Sequence, residues 1–343
     1  MDTFKRIPNW PAALLLAFLF LAGCSLQSQE QIVGVSGNTM GTTYSVKWVD
    51  TNEARVKTLH AKIDAELKAV NASMSTYIPD SELSLFNKMP ANASIKASDG
   101  LFSVLSLAKT ISDRSQGAFD VTVGPLVNLW GFGPDGRVVK APDEQTVDAL
   151  RERIGYQKLL LNADTQEITK KADLYVDLSA IAKGYGVDQV ARVLEKEGIT
   201  RYLVEIGGEL RASGLKPNGE TWRIAIESPA SVMHSVQQIV HVSDTGIATS
   251  GDYRNYFEDQ GVRYSHTIDP STGKPITHKL ASVTVLSDTC AEADALATAF
   301  TVMGEEKAMQ YAIEHKIDAF FIVKSENGFK EMMTDGFKAR LVK

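Results

Sequence analysis

The chain has 343 residues, 44% hydrophobic and 23% charged, an ordinary globular composition with material for one large core or two moderate ones and no signature of disorder. A formal net charge of −6 excludes a dedicated nucleic-acid binder, whose footprint is a basic surface. The two cysteines, Cys24 and Cys290, are too few for a disulfide framework.

At the N-terminus, Lys5 and Arg6 precede the apolar run Ala12 to Ala22, which is of signal-peptide length and short for a membrane-spanning helix. The run ends in Leu21-Ala22-Gly23-Cys24, which resembles the lipobox of bacterial lipoproteins, where the chain is cut before the cysteine and its thiol is acylated. The expectation is a signal peptide over 1–23, a polar tether over 24–36 anchored through Cys24 to a lipid membrane, and a folded domain over 37–343. With Cys24 spent on lipid, no intramolecular disulfide can form. Cys290 then reads as a small buried hydrophobe rather than a nucleophile.

Thr43 to Val49 alternates as a half-buried strand does, and residues 53–70 place Val56, Leu59, Ile63, Leu67 and Val70 on one helix face. A second helix is expected to start at Ser98 and end near Gly117, and a third to run over 142–154. Beyond that point short β-rich segments dominate, among them "KLLLN", "EITK", "LYVDL", "RYLVEI", "WRIAIES", "QQIVHVS", "YSHTI", "SVTVL" and "AFFIV", with helices at about 179–197, 291–303 and 305–315. Strands following strands through short connections predict an α+β fold with a mixed, largely antiparallel sheet. No repeat or internal linker divides residues 40–343.

Four stretches carry polar groups suited to chemistry. "DLSAIAKGYGVDQV", residues 177–190, sets Lys183 at the start of a helix beside Gly184 and Gly186, an arrangement that favours an anion, yet it matches neither standard phosphate fingerprint. "HTIDPSTGKP", from His266, is a turn-rich segment displaying a histidine and a carboxylate, and "TGIATSGDYRNYF" upstream is crowded with hydroxyls near Arg254. In "AEADALATAF", Asp294 and Thr298 are four apart and share a helix face. One carboxylate and one hydroxyl suit Mg2+ completed by waters and substrate phosphates, although an Asp on a helix is more commonly a solvated side chain. Six histidines with no H-x-x-x-H or C-x-x-C pair disfavour zinc.

Taken in order, "SMSTY", "GAFDVTVGPLVNLWGFG", "VDLSAIAKGYGVD", "IGGEL", "ATSGDYRNY", "HTIDPSTGKP" and "ADALATA" resemble the FAD:protein FMN transferases, the ApbE family of flavinylating lipoproteins, over about residues 37–343. The resemblance implies an ApbE-like, T-fold-related architecture and a Mg2+-dependent enzyme that moves the FMN half of FAD onto a Thr or Ser hydroxyl, releasing AMP. It implies flavin-nucleotide contacts at Met40, Tyr77, Ala118, Phe119, Asp120, Asp177, Lys183 and Ile268. It implies a metal held by the Asp294 and Thr298 side chains with the backbone carbonyls of Ala180 and Ala297. The acceptors it implies are inner-membrane subunits of sodium-pumping NADH:quinone reductase or Rnf-type complexes, which favours the periplasmic side of the inner membrane for this chain, although Ser25 is not the Asp that commonly retains lipoproteins there and leaves the outer membrane open. His266 is the expected general base, since imidazole changes charge near neutral pH. Two alternatives stay open: a FAD pyrophosphatase using the same site, and a flavin-binding lipoprotein without chemistry.

Overall fold

The computed structural model describes residues 29–133, 136, 138, 140–229, 236–251, 256–259 and 261–342. The lipobox and Cys24 lie outside the described residues, as does Arg254. Among the described residues no helix is long and apolar enough to cross a membrane.

Strands β1 (Gln31–Thr39) and β2 (Thr42–Asp50) form a hairpin in register from Gln31↔Asp50 to Thr39↔Thr42. Its two turn residues, Met40 and Gly41, have φ of 48° and 72°, the positive values that a two-residue hairpin turn demands. Gly41 adopts this conformation without cost, whereas Met40 is held there. Residues 31–36 therefore belong to the sheet and not to the expected tether. β1 is an edge strand with one face toward solvent, so its polar residues are tolerated and disguise it as linker.

The sheet continues through β3 (Tyr202–Ile206), β4 (Glu209–Ser213), β5 (Thr245–Gly251), β6 (Leu280–Ser287), β7 (Asp318–Ser325) and β8 (Gly328–Met333). Its spatial order is the chain order, and every neighbouring pair is antiparallel. The α+β expectation holds. The long helices are α1 (Val56–Met74), α2 (Asp99–Arg114), α3 (Ala182–Lys196), α4 (Cys290–Met303) and α5 (Glu305–Glu314).

Alternation along the strands decides what each face covers. Tyr44, Val46, Trp48, Tyr202, Val204 and Ile206 pack against α1 and α3. Val283, Val285 and Phe321 pack against α2, α4 and α5. The neighbouring Leu286, Phe320 and Ile322 point to the opposite face, where the hairpin of Trp222–Glu227 and Val236–Val242 closes over them with Phe337. A smaller apolar cluster of Leu126, Trp130, Val147, Ile154 and Ile268 forms a separate lobe.

Three local expectations are revised. "LYVDL" joins no ladder: the Asn87 side-chain amide brackets Val176 with two 2.8 Å bonds, and the Asp177 N–H donates to the Val121 carbonyl at 2.8 Å. Side chain and loop satisfy an extended backbone that looks like a strand by pattern alone. The following helix starts at Ala182 rather than 179, because Asp177 Oδ1 accepts the Ser179 N–H and hydroxyl in a turn that precedes it. "YSHTI" breaks between Val262–Ser265 and Ile268–Asp269, leaving His266 outside both strands.

Candidate active site

The site is built on the crossing of α3 and α4. An added Cβ at Gly184 would stand 2.4 Å from the Cys290 carbonyl oxygen, so only glycine lets the two helix starts touch. Each helix caps the other. Asp188 of α3 accepts the N–H groups of Cys290 at 3.0 Å and Ala291 at 2.9 Å, and Asp294 of α4 accepts the Gly184 N–H at 3.0 Å. Ile181, at the cap position of α3, offers no side-chain acceptor, so the carboxylate from α4 supplies what that helix end lacks. Cys290 is fully buried at this crossing and burial pushes its thiol well up, as a packing residue requires and a nucleophile does not.

The crossing sets Lys183, Asp294 and Thr298 on the wall of a cleft of about 450 Å3, within the range of small-molecule sites. Glu209, the first residue of β4, enters from the sheet and pairs with Lys183 Nζ at 2.5 Å. Glu209 is 4% exposed and Asp294 6% exposed, so the Asp is a cleft group and not a solvated one. Burial pushes Glu209 up to about 7, the Asp294 charge adds to that, and Lys183 opposes it. Burial also raises Asp294, against the pull of Lys183 and the Gly184 N–H. Burial disfavours the charged Lys183, but the two carboxylates outweigh it and its pKa is raised. Two carboxylates thus share one ammonium in a desolvated place.

The cleft gathers Tyr77, Ala118, Phe119, Asp120, Asp177, Ala180, Lys183, His266, Ile268, Asp294 and Thr298. Met40 lines an adjoining cavity of about 640 Å3 that meets the first at Tyr77, Ser179 and Lys183. Ala297 is not brought to the cleft: it is buried, and its carbonyl accepts the Thr301 hydroxyl at 2.9 Å. Asp120 uses one oxygen on its own loop, accepting from the Thr122 N–H and hydroxyl, each at 2.7 Å, and the other on a distant segment, accepting from the Tyr156 N–H at 3.0 Å. Ile268 faces the cleft while belonging to the Trp130 lobe. Tyr77 stands 68% exposed at the rim, a flat face available for stacking on a ring. His266 and Phe132 meet edge to face at a centroid distance of 6.2 Å, and Phe132 packs on Phe257, which stacks with Tyr264 and, through it, Trp130.

Among the described residues no group of three or more His, Cys, Asp or Glu side chains could hold a metal. The donors present are of another kind: buried carboxylate, hydroxyl and backbone carbonyl, which suit a hard cation sharing its remaining positions with water and phosphate. The excess of negative charge over Lys183 fits such an ion.

A profile of the ApbE family matches residues 40–321. The chain belongs to the ApbE family. It is 48% identical over 337 residues, 98% of this chain and 99% of the relative, to the FAD:protein FMN transferase of Vibrio cholerae. To the FAD:protein FMN transferase of Haemophilus influenzae it is 44% identical over 341 residues, covering 97% and 98% of the two chains. The solved structure of the flavin transferase ApbE from Vibrio cholerae, at 47% identity, superposes with a TM-score of 0.84 over 91% of this chain and 100% of that one. All seven ordered motifs lie within the segment matched to the ApbE family. In this ApbE chain, Glu209 and Asp188 were not singled out by sequence. The only trace of Glu209 was its place after Gly207 and Gly208 in "IGGEL", and Asp188 closes "VDLSAIAKGYGVD".

Proposed function

We propose that this ApbE-family chain is a Mg2+-dependent FAD:protein FMN transferase that joins FMN to a Thr or Ser hydroxyl of a membrane redox subunit and releases AMP. The observation that carries the reading is the meeting of two cavities at Lys183 and the N-terminus of α3. A dinucleotide has two ring-bearing halves joined by a pyrophosphate, and here an ammonium and a helix N-terminus stand at the joint between two cavities.

Lys183 offsets pyrophosphate charge, and Tyr77 supplies a ring face at the same junction. Ala118, Phe119 and Ile268 provide the apolar wall that excludes water from one half of the nucleotide. Asp294 and Thr298, with the Ala180 carbonyl, would hold Mg2+, which when bound neutralises charge developing on the phosphates. The acceptor hydroxyl oxygen bonds to the FMN-side phosphorus, the bond from that phosphorus to the AMP oxygen breaks, and AMP leaves with the electron pair. His266 takes the hydroxyl proton. The acceptor retains FMN as a phosphodiester.

The acceptors that fit are subunits of sodium-pumping NADH:quinone reductase or Rnf-type complexes. An enzyme lipidated at Cys24 on the periplasmic side of the inner membrane would meet them there. The test is AMP release from FAD and Mg2+ with and without a Thr-bearing acceptor peptide. The reading expects AMP in proportion to modified peptide. AMP at the same rate without peptide would make the chain a FAD pyrophosphatase, and no AMP in either case a flavin-binding protein.

A further inference from the structure

Glu209 has no assigned role, and its surroundings ask for one. It follows Gly207 and Gly208, whose φ of 60° and 105° make the tight turn between β3 and β4, so its position at the first residue of β4 is fixed by backbone. Its Oε1 is held by Lys183 at 2.5 Å. Its Oε2 is buried and has no hydrogen-bond partner among the described residues. A carboxylate oxygen removed from water and left unmatched is costly, and buried charges are found paired or on metals. Lys183 cannot serve here, because its single charge already faces both Glu209 and Asp294.

We propose that Glu209 is a further ligand of the cleft's cation: Oε2 binds the divalent ion beside Asp294 and Thr298, while Oε1 remains on Lys183. This rests on the reading that the cleft takes Mg2+. Glu209, Asp294 and Thr298 line the same cleft and together offer three hard oxygen donors from β4 and α4, leaving the remaining positions of a divalent ion to water and phosphate. The shared carboxylate also ties metal site to phosphate site, since the residue that holds Lys183 in place is the residue that holds the ion. Cation and dinucleotide would then be bound by one connected unit.

The experiment is Mn2+ and Mg2+ binding to the FAD-free lipoprotein in detergent, by calorimetry and by the loss of the free Mn2+ resonance signal. Three variants are compared with the wild type, each checked for folding by circular dichroism. E209Q keeps the shape and an acceptor for Lys183 but puts an amide where the ion would sit; its cation affinity should fall tenfold or more. E209D keeps the charge but withdraws it by one methylene, and should also fall at least fivefold, which a charge acting only at a distance would not produce. E209Q within twofold of wild type, or E209D at wild-type affinity, overturns the proposal. D294N separates this failure from that of the wider reading: if D294N weakens binding and E209Q does not, the metal reading stands and Glu209 is only the anchor of Lys183. If neither variant changes binding, the cleft is not the metal site.

Discussion

Asp294 caps a helix to which it does not belong, its Oδ2 accepting the Gly184 N–H at 3.0 Å across the crossing of α3 and α4. One carboxylate therefore has two duties, fixing the N-terminus that carries Lys183 and presenting oxygen to the cleft. The duties separate by substitution. Asp294→Ala orphans a buried N–H and is expected to cost about 1–3 kcal/mol of stability together with Mg2+-dependent turnover. Asp294→Asn keeps an acceptor, so its melting temperature should approach wild type while turnover across a Mg2+ titration stays abolished. Wild-type turnover in either variant would remove Asp294 from the metal site.

Glu209 gives the metal-free protein a pH dependence of definite sign. Its carboxyl is pushed up to about 7 from an ordinary value near 4.5. Because the folded state holds the proton more tightly than the unfolded one, Glu209 favours folding fully below pH 4.5 and loses that contribution as pH rises through about 7. Melting of the metal-free protein between pH 5 and pH 8 should fall less steeply in Glu209→Gln than in wild type. An unchanged slope would mean that Glu209 stays ionised throughout.

His266 stands at a break between two short strands, edge to face with Phe132, on the cleft. As a base it contributes to chemistry and little to binding. His266→Ala should bind FAD nearly as wild type and transfer FMN slower by roughly two to four orders of magnitude. Single-turnover transfer near the wild-type rate in His266→Ala would leave Lys183 and positioning as the main catalytic terms.

The proposed lipid anchor rests on Cys24 standing directly after Leu21-Ala22-Gly23 and an apolar run. Cys24→Ser should abolish acylation and release the protein from the membrane fraction, read by fractionation and by the mass of the N-terminal peptide. A variant that stays with the membranes and keeps the same N-terminus would overturn lipid attachment at Cys24.

The sequence displayed what local spacing can carry. Asp294 and Thr298 share a helix face by arithmetic, Lys183 with Gly184 announces a crowded helix start, and Ser98 caps α2 at the expected residue. What it concealed depends on partners distant in the chain. Asn87 imitates a strand for Val176 from 89 residues away, and nothing near either residue signals it. Glu209 becomes a site residue only because β4 runs beside the start of α3. β1 was hidden for a different reason: an edge strand keeps its polar face, so its composition matches a linker. Asp120, expected as a ligand contact, lines the cleft, and its contacts to Thr122 and Tyr156 could not be read from its neighbours in sequence.

Transfer of FMN to a Thr or Ser hydroxyl would change the acceptor covalently, and its mass reports that change. A Thr-bearing peptide or subunit from a candidate redox complex is incubated with the protein, FAD and Mg2+, and its intact mass is read before and after. The expected result is a gain of one FMN less one water, located on a Thr or Ser, with an equal amount of AMP released. FMN and AMP accumulating beside an acceptor of unchanged mass would contradict it.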